Sequence, residues 1–506
     1  MHRVPSARRE PFSRAWSAPS EAEIGQLGPR WVPVVLPVLV AAGLTLPFLG
    51  SSPLWADEVD SVSAALRPLP ALVRLLHHQD APLGAYYLAL HGWTRIAGTS
   101  ASALRLPSAL AVLVAVALTA WLGHRIIGPA GGLVAGLLLA TNPFVLSFGT
   151  NARPYALALA AAVGAMLLVT WAPEAPGRLR RLTYAGVVVI GMYAHLFFGL
   201  VVLAQLLGLL LCRRPLRPWL LPVALAALTS SPLLLLAARQ TAEVGYLHRP
   251  GLLSLPGWLQ AMAGGQGWLV APAVLVLLAA LPAGLAAWRR HGLLAAWLVV
   301  PGPILLLVSL VHPLYLNRYV LESAPALSLL LALCLIRRLG RPGPALAVAL
   351  IALSAVTSAS SQGAAYRYED LRAATDVVLD RSAPGDASVL LPATVRTAVD
   401  YYLRRVDPGA VRPTDLLAAP GQGEDVVGNF GGHELPPGPA VRTLLAHRTI
   451  WLIQYADPSA TRGPTAHAVL AALGRCFRSR PFQRFGEIEV VQATATARCG
   501  TPSQPR

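Results

Sequence analysis

The chain has 506 residues, 55% of them hydrophobic and only 13% charged, with a formal net charge of +17 at pH 7. No lysine occurs, so arginine carries all of the basic charge. The arginines fall between apolar stretches, where membrane topology accounts for them, and nucleic-acid binding is excluded as the reason for the high isoelectric point. An ordinary soluble domain is excluded too, because from Trp31 to about Ser360 the sequence keeps returning to apolar runs of about 17 residues or more. At ~1.5 Å per residue these cross a hydrocarbon core of ~30 Å.

In chain order, Arg3, Arg8, Arg9, Arg14 and Arg30 precede a first apolar stretch from Trp31 to about Gly50. That is a signal anchor with its N-terminus in the cytoplasm; cleavage near Gly50-Ser51-Ser52 is the minor alternative. Every second connection should then be basic, because short arginine-rich loops resist translocation. Such connections recur at His124 and Arg125, at Arg178, Arg180 and Arg181, from Arg213 to Arg217, at Arg289 and Arg290, and from Arg337 to Arg341. The spans between them run over approximately 31–50, 104–123, 131–148, 155–173, 182–197, 199–212, 218–238, 268–288, 293–311, 322–336 and 343–360, which makes about eleven crossings. Leu83 to Ile96 is set outside the membrane as an interfacial or re-entrant helix. It is short for a crossing and carries His91 and Arg95, and counting it would invert every later loop. The expected fold is a polytopic α-helical membrane protein in three parts: a basic cytoplasmic N-terminus (1–30), a transmembrane domain (31–360) with a long first outer loop (51–103), and an extracytoplasmic α/β domain (361–506).

Polar residues collect at the outer ends. Asp57 and Glu58 follow the first span; such a pair can take a proton from a hydroxyl, hold a cation or simply be solvated. Asp80-Ala81-Pro82-Leu83 comes next, with Tyr86 and Tyr87, whose ordinary role at this depth is interfacial anchoring. Arg105 opens the second span and, alone, would snorkel. Arg153 occupies the short turn Asn151-Ala152-Arg153-Pro154-Tyr155, where a guanidinium fork suits a phosphate or carboxylate. His195 and Asn317-Arg318-Tyr319 occupy two further outer turns.

The tail alternates helical pieces at Asp370–Arg381, Thr394–Leu403 and Thr465–Leu473 with extended pieces at Ala387–Leu391, Thr449–Tyr455 and Glu487–Gln492. Gly421 to Pro439 reads as a surface loop that caps the bundle or presents an acceptor. Outside the cytoplasm, Cys476 and Cys499 either pair as a disulfide or remain two thiols.

Taken together, Asp57-Glu58, Asp80-Ala81-Pro82-Leu83 with Tyr86-Tyr87, Arg105-Leu106-Pro107-Ser108, Ala152-Arg153-Pro154-Tyr155-Ala156-Leu157 and Asn317-Arg318-Tyr319 resemble the GT-C class of polyprenyl-phosphate-dependent glycosyltransferases, in particular its protein-mannosyltransferase-like group. The tail start Tyr368-Glu369-Asp370-Leu371-Arg372 resembles actinobacterial members. The chain departs from the common pattern at Asn151, where many relatives carry an acidic residue, and at Ala81, where a proline is common.

The resemblance implies a lipid-linked monophosphate sugar donor, with mannose the favoured sugar, an inverting transfer on the outer face of the plasma membrane, and a glycan, lipoglycan or protein acceptor. It assigns Asp57 as the general base, Glu58 as its orienting or acceptor-binding neighbour, and Arg153 and Arg318 as contacts of the leaving phosphate, with Arg105, Tyr155, Asp80 and His195 as further substrate contacts. A divalent metal is left open. Two rival readings are a transporter or lipid flippase, which would place charges near the bilayer midplane and show internal repeats, and a non-catalytic scaffold, which leaves the carboxylates and arginines unused.

Overall fold

A computed structural model describes residues 31–170, 176–241, 245, 247–251, 254–265, 268–276, 288–362, 369–403, 412–457 and 463–499. The N-terminal arginines, Tyr368 and the second half of the expected span at 268–288 lie outside the described residues.

Among the described residues, each expected span coincides with helix. The helices are Val32–Thr45, extended by the 3-10 turn Leu46–Phe48, then Ala101–Ile127, Pro129–Ala140 with Pro143–Gly149, Tyr155–Thr170, Arg178–Ala194, Phe198–Leu211 and Arg217–Arg239. Residues 268–276 are helical, and Trp288–Val299 with Pro301–Ser309, Asn317–Ser323 with Ala324–Arg337, and Gly343–Gln362 complete the bundle. Among the described residues, five helices are long and apolar enough to cross a membrane unaided, or six if one pair bent by 65° counts as a span. Val32–Phe48, Tyr155–Thr170 and Phe198–Leu211 are apolar but shorter.

Local chemistry sets the breaks and the close contacts. At the 65° bend, Asn142 caps Pro143–Gly149 by accepting from the Val145 amide at 3.1 Å, and Pro143 occupies the first turn, where no amide donor is needed. Ala101–Ile127 and Pro129–Ala140 meet through Gly132, whose Cβ would fall 2.7 Å from the Ala120 carbonyl. Along Arg217–Arg239, Leu221, Leu228 and Leu235 are 61–71% exposed at seven-residue intervals. Such an apolar stripe suits hydrocarbon and not water.

Above the bundle lies a second layer. The long loop after the first span folds into helices Ala56–Leu66, Leu69–His78 and Gly84–Ala97, the last covering the segment expected to be interfacial. Tyr86 and Tyr87 on it are buried in a core that joins loop residues Val59, Leu72 and Leu90 to Val395, Tyr402 and Trp451 of the tail. They pack against protein, which corrects the reading of both as bilayer anchors.

The tail forms a five-stranded sheet ordered β2-β1-β3-β5-β4, from β1 (Ala387–Leu391), β2 (Thr414–Asp415), β3 (Thr449–Tyr455), β4 (Phe477–Phe485) and β5 (Ile488–Ala495). β1 pairs parallel to β2 and β3, and β5 pairs antiparallel to β3 and β4. Helices Leu371–Arg381 and Thr394–Leu403 pack toward the loop layer, whereas Pro437–Leu445 and Pro464–Cys476 cover the other face. Cys476 and Cys499 are disulfide-bonded, and Cys212 and Cys334 are free and buried.

Candidate active site

The segment after the first span is fixed before any ligand is considered. Glu58 is fully buried and its carboxylate is saturated: Oε1 accepts from Arg105 Nε (2.7 Å) and the Ala152 amide (2.8 Å), while Oε2 accepts from Arg105 Nη2 (2.7 Å) and the Trp55 amide (3.3 Å). Arg105 is 1% exposed and spends its remaining donors on the carbonyls of Leu49, Ser52 and Pro53. A bidentate pair of this kind is tolerated in the interior because every polar atom is satisfied. This corrects the acceptor-binding role expected of Glu58 and the substrate contact expected of Arg105, because neither keeps a polar atom for a ligand. Together they clamp the first span, the carboxylate helix Ala56–Leu66 and the Arg153 turn.

Asp57, the neighbour of Glu58, points the other way, into a cavity of about 490 Å³. Its Oδ2 lies 3.4 Å from Arg318 Nη2 and 3.7 Å from Arg153 Nη2. That oxygen is buried and accepts no hydrogen bond. Arg153 Nη1 is within reach of the Asp57 carbonyl (3.1 Å), Ser61 Oγ (3.2 Å) and the Tyr87 hydroxyl (3.4 Å), which fixes its side chain. Arg318 is held more loosely, its guanidinium 5.7–6.0 Å from the ring centroids of Tyr319, Trp55 and Tyr155. Two cations thus converge on one carboxylate at the floor of the cavity.

Asp80 also lines the cavity, in a left-handed conformation (φ +55°), and accepts from the Tyr87 hydroxyl at 2.7 Å. Burial raises its carboxyl above the ordinary range, while Arg153 and the Tyr87 hydrogen bond pull it back. Asp60, one helical turn beyond Asp57, is a lining residue that the sequence reading passed over. Burial, then the Asp80 and Asp57 carboxylates, push its carboxyl well above the ordinary range. The signal was present in the i, i+3 spacing of Asp57 and Asp60, which puts both on one helix face and Glu58 on another.

His195 lies in the break between Arg178–Ala194 and Phe198–Leu211, its Nδ1 2.6 Å from Glu322 Oε1, with both side chains buried. Its ring packs against Tyr155 and Tyr319 at 5.4 and 5.5 Å. Glu322 belongs to the same 3-10 segment as Arg318, so the pair ties two turns between spans together. Tyr155 and His195 both line the cavity. Glu322 and the lining residue Phe430 could not be found from sequence, because their partners are 127 and 351 positions away. Among the described residues, no group of three or more His, Cys, Asp or Glu side chains stands close enough to hold a metal ion.

The fold is that of the GT-C membrane glycosyltransferases. It is similar to ArnT from Cupriavidus metallidurans in the apo state, with a TM-score of 0.61 at 13% identity over 91% of this chain and 97% of that one. The same protein bound to undecaprenyl phosphate gives 0.61 at 12% identity, over 94% and 100%. The Archaeoglobus fulgidus oligosaccharyltransferase tethered with an acceptor peptide gives 0.50 at 11%, over 91% and 74%. Within this fold, residues 79–238 match the family model described as dolichyl-phosphate-mannose-protein mannosyltransferase, as the sequence resemblance implied. The matched stretch contains Asp80, Arg153, Tyr155 and His195, while Asp57 and Arg318 lie outside it. No curated protein sequence matches the chain.

Proposed function

We propose that the protein is an inverting glycosyltransferase that moves a sugar from a polyprenyl-phosphate donor to an acceptor hydroxyl on the outer face of the membrane. The observation that carries this reading is Asp57 lying between Arg153 and Arg318 at the floor of a cavity whose other wall comes from the apolar bundle. The acceptor hydroxyl attacks the anomeric carbon and its proton passes to the Asp57 carboxylate. The anomeric carbon to phosphate-oxygen bond breaks, and the electron pair leaves on the lipid phosphate. That phosphate is a weak base, so no separate general acid is required. Arg318 and Arg153 stabilise its growing charge, with Arg318 the adaptable contact because its hold on the protein is lighter. When the phosphate enters it competes with Asp57 for the guanidinium groups and releases the carboxylate toward the acceptor.

Mannose is the sugar favoured by the matching family model. The positive connections on the opposite side of the bundle support an outward-facing cavity, an outer C-terminal domain and a cytoplasmic N-terminus in the plasma membrane. The test is transfer of radiolabelled mannose from polyprenyl-phosphate-mannose into membrane acceptors by the intact protein and by Asp57→Asn at equal expression. General-base removal should lower the rate by about 10²- to 10⁴-fold. Equal rates in the two proteins overturn the assignment.

A further inference from the structure

The cavity has two unlike sides. Leu196, Leu234, Ala237 and Leu314 line the side toward the bundle, which suits the apolar chain of a lipid donor. The loop after the first span and the tail contribute Asp60, Gln79, Asp80 and Phe430. Phe430 belongs to the C-terminal domain, in the segment expected to be a surface loop that caps the bundle or presents an acceptor, and it is 5% exposed.

That loop is built to hold the ring still. Glu424 accepts from Arg67 (3.1 Å), Ser63 (3.0 Å), Thr397 (2.8 Å) and the Gly431 amide (3.2 Å), joining the first outer loop to the tail. Arg67, 3% exposed, also donates to the Asn429 carbonyl at 2.9 Å and places its guanidinium 5.3 Å from the Phe430 ring centroid. The Phe430 amide donates to Gln79 at 3.2 Å. Gly431 has φ +84°, and a Cβ there would meet the Ala393 carbonyl at 2.4 Å, so the loop admits no other residue at that position without rearranging. One ring, fixed in advance and mostly buried, reaches the cavity lining beside carboxylates, the preorganisation that lowers the ordering cost of binding.

We infer that the acceptor is a carbohydrate, with the apolar face of its ring laid against Phe430 and a hydroxyl held by Asp60, one helical turn from the base Asp57. The inference rests on the glycosyltransfer reading of the same cavity. A sugar offers both groups that this side asks for: a face of C–H bonds for an aromatic ring, and hydroxyl donors for carboxylate acceptors.

The experiment uses the full chain in lipid nanodiscs with polyprenyl-phosphate sugars as donors. Acceptors are methyl α-mannoside and α-mannobiose on one arm and an unglycosylated serine- and threonine-rich peptide on the other. Saccharide acceptance is expected, with Phe430→Leu raising the acceptor KM about tenfold while kcat stays within about twofold, and Phe430→Trp restoring it. Leucine keeps an apolar side chain but removes the aromatic ring, and thermal melting of each variant separates misfolding from lost recognition. Transfer to the peptide but to neither saccharide overturns the inference, as does an unchanged KM in folded Phe430→Leu. Donor consumed with water as the only acceptor also overturns it while leaving the glycosyltransfer reading intact. No consumption of any donor overturns both.

Discussion

Adjacent carboxylates at positions 57 and 58 have opposite fates, because consecutive residues on a helix point about 100° apart. Glu58 faces the protein and Arg105, whereas Asp57 faces the cavity and two arginines. Substitutions should separate these roles. Arg105→Met leaves Glu58 buried without its cation and should cost about 3–5 kcal/mol of stability, seen as low yield and an early melt. Arg318→Ala, at a partly exposed guanidinium, should fold normally and lose transfer by about 10²-fold or more; normal transfer by that variant would remove Arg318 from the phosphate site.

Asp60 yields a pH prediction. Its carboxyl is raised in the folded protein, so between the ordinary carboxylate range and the raised value the folded state holds a proton that the unfolded chain has lost. The contribution of this group to stability is full below the ordinary range and is lost as pH rises through the raised value. Asp60→Asn should therefore melt higher than the parent near pH 7.5, with the gain shrinking toward pH ~4. A gain that is the same at both pH values would contradict the assignment.

Much of the site was legible at this scale. Asp57, Arg153, Tyr155, His195 and Arg318 carry residue types that an apolar outer rim does not require, and all five line one cavity. Glu58 and Arg105 were assigned to substrate because sequence adjacency does not say which way a side chain faces. Glu322 and Phe430 gave no local signal, since each acquires its place only through contacts made when distant segments meet.

At the scale of elements, the C-terminal domain fastens the segment that carries Asp57. The Tyr402 hydroxyl accepts from the Leu54 amide at 2.9 Å and donates to the Leu54 carbonyl at 3.1 Å, and Glu369 accepts from the Ala56 amide at 3.1 Å. Tyr402→Phe strands a buried donor and acceptor beside Asp57 and should cost about 1–3 kcal/mol. Hydrogen exchange should then quicken at residues 54–58 before it does in the bundle; exchange that quickens everywhere equally would contradict a local fastening. The helical spans and three of the five strands, β1, β3 and β5, follow from apolar runs and β-branched alternation, whereas the two-residue β2 is too short to leave a period. β4 was missed because Arg478, Arg480, Pro481 and Arg484 give it no hydrophobic period: it is an exposed edge strand whose pairing to β5, not its composition, makes it extended. Gly421 to Pro439 reads as a loop by composition, yet Glu424 and Arg67 turn it into a fixed part of the cavity wall.

For the whole molecule, the proposed function needs an apolar bundle to admit the lipid, a layer from the loop after the first span to carry Asp57, and a tail domain to close the remaining side. The bundle was legible because membrane helices announce themselves by length and by the arginines between them. The interlock of tail and first loop was not, because it depends on a few long-range ion pairs and buried tyrosines. The most direct test of the central claim is the anomeric configuration of the product, read from one-bond C–H couplings after transfer from a donor of defined anomer. Asp57 as a base in a single displacement predicts complete inversion and no glycosyl group trapped on the protein. Retention, with sugar covalently attached at Asp57, would make that carboxylate a nucleophile and contradict the mechanism.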